Sequence, residues 1–306
     1  MAAALNHPNI VQIYSCGQEQ GQPYIVMELV SGKTMEDIMG HTGPMLDALA
    51  LGIGVDVARG LSAGFDIGLI HSDIKPKNIL IDLKGTAKVV DFGLATFVSK
   101  QAGEQGDIWG TPYYIAPEKV LKQPIDARSD IYSLGATLYH GMAGIPPFDG
   151  KTPAAVALAR LKAPPPPLST VRKEVLPRTN SIIMRMLEEK PSRRYPTYVS
   201  LLADLEAAQQ EAEQTAGSPT LQAAKNVMLK RSSATKTVKH PVIPGLSLAK
   251  SGPPPPTAIK TASSPAPKLL INLKSRKTRA DAPSIPVETE EELQEWAAGY
   301  FHGAVQ

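Results

Sequence analysis

A single cysteine, Cys16, stands in 306 residues, which excludes both an intrachain disulfide framework and a zinc site built on a cysteine cluster. Cys16 is therefore expected as a small buried apolar side chain. Membrane-spanning runs are missing as well, since a span needs about 18 or more apolar residues in succession. The most apolar stretch, 45–70, is interrupted by Asp47, Asp56, Arg59 and Asp66, so no transmembrane segment is expected. The opening MAAALNHPNI lacks the basic flank and apolar core of a secretory signal, and the reducing cytoplasm is the expected compartment. No internal repeat is visible, which sets aside solenoids and propellers.

Charge of one sign is absent from two segments. Residues 1–213 hold 20 Lys and Arg against 23 Asp and Glu, residues 214–280 hold 12 Lys and Arg and no acid, and residues 281–306 hold six acids and no Lys or Arg. The middle block collects Pro, Ser and Thr in GPPPPT, ASSPAPK and KSRKTRADAPS and has few aromatics. It buries too little apolar surface to offset the entropy of ordering its backbone, and 214–288 is expected as a disordered basic linker. Basic side chains there could touch phosphates, but without interleaved aromatics for base stacking a nucleic-acid partner is not expected. The acidic end, 289–306, reads as a short amphipathic helix. Thr289 and Glu292 form a capping box, and Leu293, Trp296, Ala297, Tyr300 and Phe301 make one apolar stripe. So short a helix needs a groove on its own chain or on a partner protein.

The first 213 residues carry the periodic patterning and enough chain for one sizeable core. Short β-prone runs at 10–14 and 24–30 read as neighbouring strands. Leu49, Ile53, Val57 and Leu61 fall at helical spacing within 45–68, a long buried helix. Runs at 78–82 and 87–90 meet around Lys84 and Gly85 as a hairpin. Helical patterns follow at 130–141, 153–161, 179–187 and 198–210. The class is α+β, with a little sheet ahead of much helix.

Between the long helix and the hairpin lies LIHSDIKPKNILI, which sets Asp73, Lys75 and Asn78 on one loop. DFG follows at Asp91, Phe92 and Gly93, then APE at Ala116, Pro117 and Glu118, then SDIYSLG opening a helix. A lone Asp in a loop is more often a turn former, and Asn before a strand is common turn chemistry; the ordered set is what carries information. That set resembles the protein kinase family, with wording closest to the eukaryotic-like kinases of bacteria. The resemblance covers residue 5 to about residue 207. It implies a protein kinase-like fold with a mainly helical C-lobe, 31–213, and an incomplete N-lobe sheet whose remnant and hinge are 1–30.

What the resemblance implies for function is serine/threonine protein kinase activity, moving the γ-phosphate of ATP to protein substrates with Mg2+ as cofactor. Asp73 would take or orient the proton of the acceptor hydroxyl, and Lys75 would meet the transferring phosphate. Asn78 and Asp91 would hold the metal between the phosphates. Met27, Glu28 and Val30 would form the gatekeeper and hinge whose backbone binds adenine. Lys75 after Asp73, together with GTPYYIAPE, points to Ser or Thr as acceptor, with Thr111 near the catalytic aspartate. Glu118 and Arg194 resemble a buried structural ion pair. Asp130 resembles the anchor of the catalytic-loop backbone, though its place before an apolar run also makes it an ordinary N-cap.

Two departures matter. Position 72 is Ser where most of the family has Arg, and QAGEQGDIWG between Ser99 and Thr111 contains no hydroxyl residue. Activity is therefore expected not to wait on activation-loop phosphorylation. The family's Gly-rich loop, strand lysine and helical glutamate all precede LNHPNIV, and nothing in this sequence supplies them; GIGVDVARG lies inside the expected helix. The chain as written is expected to transfer phosphate poorly. The alternative is an inactive kinase-like scaffold or binding protein. Ser232, Ser233, Ser264 and Ser275 are expected regulatory phosphorylation sites in the linker.

Overall fold

The computed structural model describes residues 5–19, 22–92, 96–97, 112–229 and 268–272. Two strands, β1 (Ile13–Glu19) and β2 (Gln22–Glu28), pair antiparallel, with Ile13 opposite Met27 and Glu19 opposite Gln22. They lie a few residues away from the expected 10–14 and 24–30. Ile10 and Val11 are drawn inward instead, because Ile10 bridges to Val89 and the Val11 N–H donates to the Val89 carbonyl at 2.9 Å. Cys16 corrects an expectation: it is exposed, since β1 is an edge strand and Tyr14 and Ser15 beside it are exposed too.

A second sheet joins β3 (Gly32–Thr34), β5 (Ile79–Asp82) and β6 (Ala87–Val89) in the order β3-β5-β6. The hairpin β5–β6 turns at Gly85, whose φ of 91° suits only a residue without Cβ. Gly32 serves a different need, because β3 presses against β5 so closely that a Cβ there would run into the Ile81 carbonyl oxygen. Gly32→Ala is expected to destabilise the protein by about 1–3 kcal/mol, as overpacking against rigid backbone does. A urea-denaturation midpoint unchanged from wild type would contradict that. Between β3 and β5 come α1 (Met35–Thr42), α2 (Asp47–Asp66) and the two-residue strand β4 (Leu69–Ile70), which pairs with β7 (Thr96–Phe97).

Helix α2 is the centre of the molecule. Leu49, Ile53, Val57 and Leu61, the expected stripe, are all buried, as are Ala50, Leu51 and Ala58 on other faces. By length and composition α2 could cross a membrane, yet about two thirds of it is buried within the fold. Its neighbours are α4 (Ala127–Ala143) and α8 (Tyr198–Ala216). The other helices are α3 (Pro117–Val120), α5 (Pro153–Lys162), α6 (Leu168–Val171), α7 (Pro177–Met186) and α9 (Ser218–Leu229). The α+β class and helix-rich lobe match the sequence reading.

Helix ends follow local chemistry. Asp126 caps α4 by accepting from the Arg128 N–H at 2.8 Å, and Gly144 ends it at φ 76°. Asp126, not Asp130, is thus the cap. Burial opposes its charge, but hydrogen bonds from Arg128 and the guanidinium charge outweigh this and hold the carboxyl below its ordinary value. Thr197 and Ser200 form a capping box at α8.

The linker boundary expected at residue 214 falls inside α8, and α9 carries helix on to Leu229. Leu221, Ala224, Met228 and Leu229 sit at i, i+3, i+7 and i+8 and pack on the core, which the basic, acid-free composition of the whole 214–280 block concealed. Within the same block β8 (Lys268–Asn272) pairs antiparallel with the open edge of β2, Lys268 opposite Glu28 and Asn272 opposite Tyr24. The remainder of 230–306, including Ser232, Ser233, Ser264, Ser275 and the terminal stripe from Thr289 to Phe301, lies outside the described residues.

Candidate active site

The loop from His71 to Lys75 leaves β4 and enters a single 3-10 turn, Pro76–Asn78, that delivers the chain to β5. Proline at the first position of that turn fixes φ and gives up no needed donor. Buried Asp130, on α4, holds the loop from below: its Oδ2 accepts from the His71 N–H and its Oδ1 from the Ser72 N–H, both at 2.7 Å. Burial pushes the Asp130 carboxyl up, against the opposing pull of His71 and the two backbone donors. Ser72 adopts φ 66°, a left-handed conformation that costs a non-glycine residue of order 1–3 kcal/mol. Its N–H is fixed by Asp130, and its carbonyl accepts from Lys119 Nζ at 2.6 Å.

The next residue is Asp73, and three side chains meet on it. Lys75 Nζ donates to Asp73 Oδ2 at 2.7 Å; Asn78 Nδ2 donates to the Asp73 carbonyl at 2.9 Å and to Oδ2 at 3.1 Å. His71 Nδ1 accepts from the Asp73 N–H at 3.3 Å, while Nε2 lies 2.7 Å from the Val90 carbonyl and the ring meets buried Phe92 edge-on at 4.8 Å. The Val90 N–H donates to the Asn78 carbonyl at 3.0 Å, so Asp91, one residue on, begins beside Asn78. Asp91 is exposed and also left-handed, at φ 66°.

Of the residues singled out from sequence, Asp73, Lys75 and Asn78 are in contact, and Asp91 follows Val90, whose N–H reaches the Asn78 carbonyl. Met27 and Glu28 end β2, and Val30 lies just beyond it, half-buried. The Glu28 carboxylate pairs with Lys88 Nζ on β6 at 2.8 Å, so the end of β2 is tied to the hairpin through that side chain. Val30 lines a cavity of about 500 Å³ with Ser31, Lys33, Leu83, Met228 and Leu229. None of the loop residues lines it. Gly93 and Thr111 lie outside the described residues, as does the segment around QAGEQGDIWG.

With Nδ2 turned to Asp73, Asn78 keeps its amide oxygen as a hard ligand, and Asp91 offers a carboxylate. Among the described residues no group of three or more His, Cys, Asp and Glu could cage a metal. Two oxygen ligands completed by phosphate and water is the arrangement that Mg2+ favours, so the residues present fit that ion.

Sequence reasoning missed two residues that shape the site. Burial lowers the pKa of Lys119, while the nearby Asp73 and Asp130 charges oppose that shift and Lys75 adds to it. Arg160, buried on α5, donates to the Ile115 and Pro112 carbonyls and so fixes the chain just ahead of α3. Neither has a sequence signal of its own, since each acts on backbone more than 40 residues away.

Comparison with known proteins bears on this geometry. A family model for the protein kinase domain matches residues 1–205. The chain is similar to the serine/threonine-protein kinase PknB of Mycolicibacterium smegmatis, 38% identical over 211 residues covering 67% of this chain and 34% of that protein. It is 37% identical over 211 residues to the protein of the same name from Mycobacterium tuberculosis, with 67% and 34% covered. A probable serine/threonine-protein kinase of Clostridium perfringens is 35% identical over 217 residues, covering 71% and 32%. The chain spans about a third of the length of these curated relatives.

Proposed function

The chain belongs to the protein kinase domain family, and from that membership we propose that it transfers the γ-phosphate of ATP to serine or threonine hydroxyls of protein substrates. The observation that carries the reading is the convergence of Lys75 Nζ and Asn78 Nδ2 on Asp73 Oδ2, at 2.7 and 3.1 Å. Phosphoryl transfer asks the protein for position and charge rather than for covalent chemistry.

In this reading Asp73 accepts the proton as the acceptor oxygen bonds to the γ-phosphorus and the bond from that phosphorus to the β-phosphate oxygen breaks. Lys75 holds the Asp73 carboxylate in one orientation and presents positive charge toward the transferring group. Asn78 and Asp91 would hold Mg2+, which supplies neutralisation of the phosphate charge. The backbone of Met27, Glu28 and Val30 would receive the adenine. ATP as phosphoryl donor is the argument for a cytoplasmic site of action.

The test uses the intact protein with γ-labelled ATP and casein as acceptor. Label on casein serine or threonine, abolished by EDTA and restored by Mg2+, is the expected result. Label on tyrosine would overturn the acceptor assignment, and no transfer at all would leave the binding-protein alternative in its place.

A further inference from the structure

We propose that Lys119 is a positioning residue for Asp73: from α3 its ammonium clamps the carbonyl of Ser72, and with it the peptide plane that carries the Asp73 backbone. This rests on the kinase reading above and deepens it. The peptide between Ser72 and Asp73 has two polar ends. Its carbonyl accepts from Lys119 Nζ at 2.6 Å, and its N–H donates to His71 Nδ1 at 3.3 Å. One residue back, the Ser72 N–H is held by Asp130. Ser72 therefore sits between a carboxylate on α4 and an ammonium on α3, and the two together hold a φ of 66° that serine does not favour.

The side chain at position 72 does not contribute to this hold. Ser72 Oγ is buried and finds no hydrogen-bond partner among the described residues. The cation comes instead from a residue 47 positions further along the chain. A charge-assisted bond of this length is shorter and stronger than a neutral one, and the partial burial of Lys119 shields it from competing water. The groups facing Lys119 are Asp73 and Lys75 from the loop and Asp130 from α4. An ammonium there also faces two carboxylates, Asp73 and Asp130.

The helix that carries Lys119 is itself anchored. On α3 the adjacent Glu118 is locked to Arg194 by two hydrogen bonds of 2.7 and 2.8 Å. Adjacent residues of one short helix thus point to two different structures: Glu118 to the base of the lobe and Lys119 to the loop. A shift of α3 would carry Lys119 with it, so the clamp ties the position of Asp73 to that of α3.

The test compares the intact wild-type protein with Lys119→Met, Lys119→Gln and Lys119→Arg in two measurements. In casein phosphorylation, Lys119→Met and Lys119→Gln are expected to lower kcat about tenfold to a hundredfold, the range that a misplaced catalytic group produces. The KM for ATP should stay near wild type, and Lys119→Arg, which keeps charge and donor, should recover most of kcat. In amide hydrogen exchange, Lys119→Met and Lys119→Gln are expected to speed exchange in the segment 71–78 and leave α8 unchanged. Unchanged exchange at 71–78 overturns the inference whatever the activity does, as does an Arg variant as impaired as the Met one. A wild-type protein that transfers no phosphate but loses protection at 71–78 in Lys119→Met overturns the kinase reading and leaves the clamp standing.

Discussion

Asp73→Ala is expected to lower phosphoryl transfer to casein by about 10²–10⁴-fold, the range for removal of a positioned general base. Melting temperature should scarcely move. The two expectations belong together because of where the side chain sits. The Asp73 side chain is 22% accessible, so its removal opens no sealed cavity. Asn78 Nδ2 retains the Asp73 backbone carbonyl at 2.9 Å, and Lys75, 16% accessible, can turn to water. A loss confined to the chemical step should appear equally in kcat and kcat/KM, with the KM for ATP preserved. Asp73→Asn keeps the shape and an acceptor oxygen but cannot take a proton, and it should be nearly as impaired. Should either variant keep more than about a tenth of wild-type turnover, the base assignment fails.

The loop proposed to carry the chemistry stands out in the sequence because its pattern is local: His, Asp, Lys and Asn within eight residues, followed by a hairpin with DFG at its end. The long helices were legible for a related reason. Their apolar stripes repeat over several turns, and burial of α2 and α4 on most faces only strengthens the pattern. What escaped was either short or distant. Helix α1 spans eight residues with Gly40 inside it, and its one signal was Thr34 followed by Asp37, the capping box that the structure forms. Helix α9 hid in a block whose acid-free composition suggested disorder, although its apolar residues keep helical spacing. Cys16 went the other way, because small apolar residues are usually buried but edge strands expose both kinds. Lys119 could not be found at all from sequence, since its partner is a backbone carbonyl 47 residues away. Composition and period report on faces and segments, whereas a single polar contact at long range depends on the finished fold.

The same limit makes Glu118 and Arg194 instructive, since sequence resemblance paired them and the structure gives the pair its magnitude. Both are almost fully buried, at 3% and 2% exposure. Arg194 uses its whole guanidinium: Nη1 and Nη2 reach the two Glu118 oxygens, and Nε, Nη1 and Nη2 donate to the carbonyls of Glu188, Arg128 and Glu189 at 2.8 Å each. Ser129 Oγ donates to Glu118 Oε1 at 2.6 Å, and the Arg194 guanidinium lies 4.8 Å from the centre of the Tyr132 ring. Such a pair returns little net energy against two hydrophobic residues of the same shape, but breaking it leaves a buried charge without compensation. Glu118→Ala and Arg194→Ala are each expected to destabilise the protein by about 3–5 kcal/mol, a large part of the roughly 5–15 kcal/mol that holds a domain folded. Chemical denaturation with the two single variants and the double variant forms a thermodynamic cycle. The double variant should cost much less than the sum of the singles, because the second substitution removes the charge that the first one stranded. Arg194→Ala should be the more damaging single change, since it also strips donors from three backbone carbonyls that Glu118 never touched. Additive losses would mean that the two side chains act independently, and the ion pair would then not be what joins α3 to the base of the lobe.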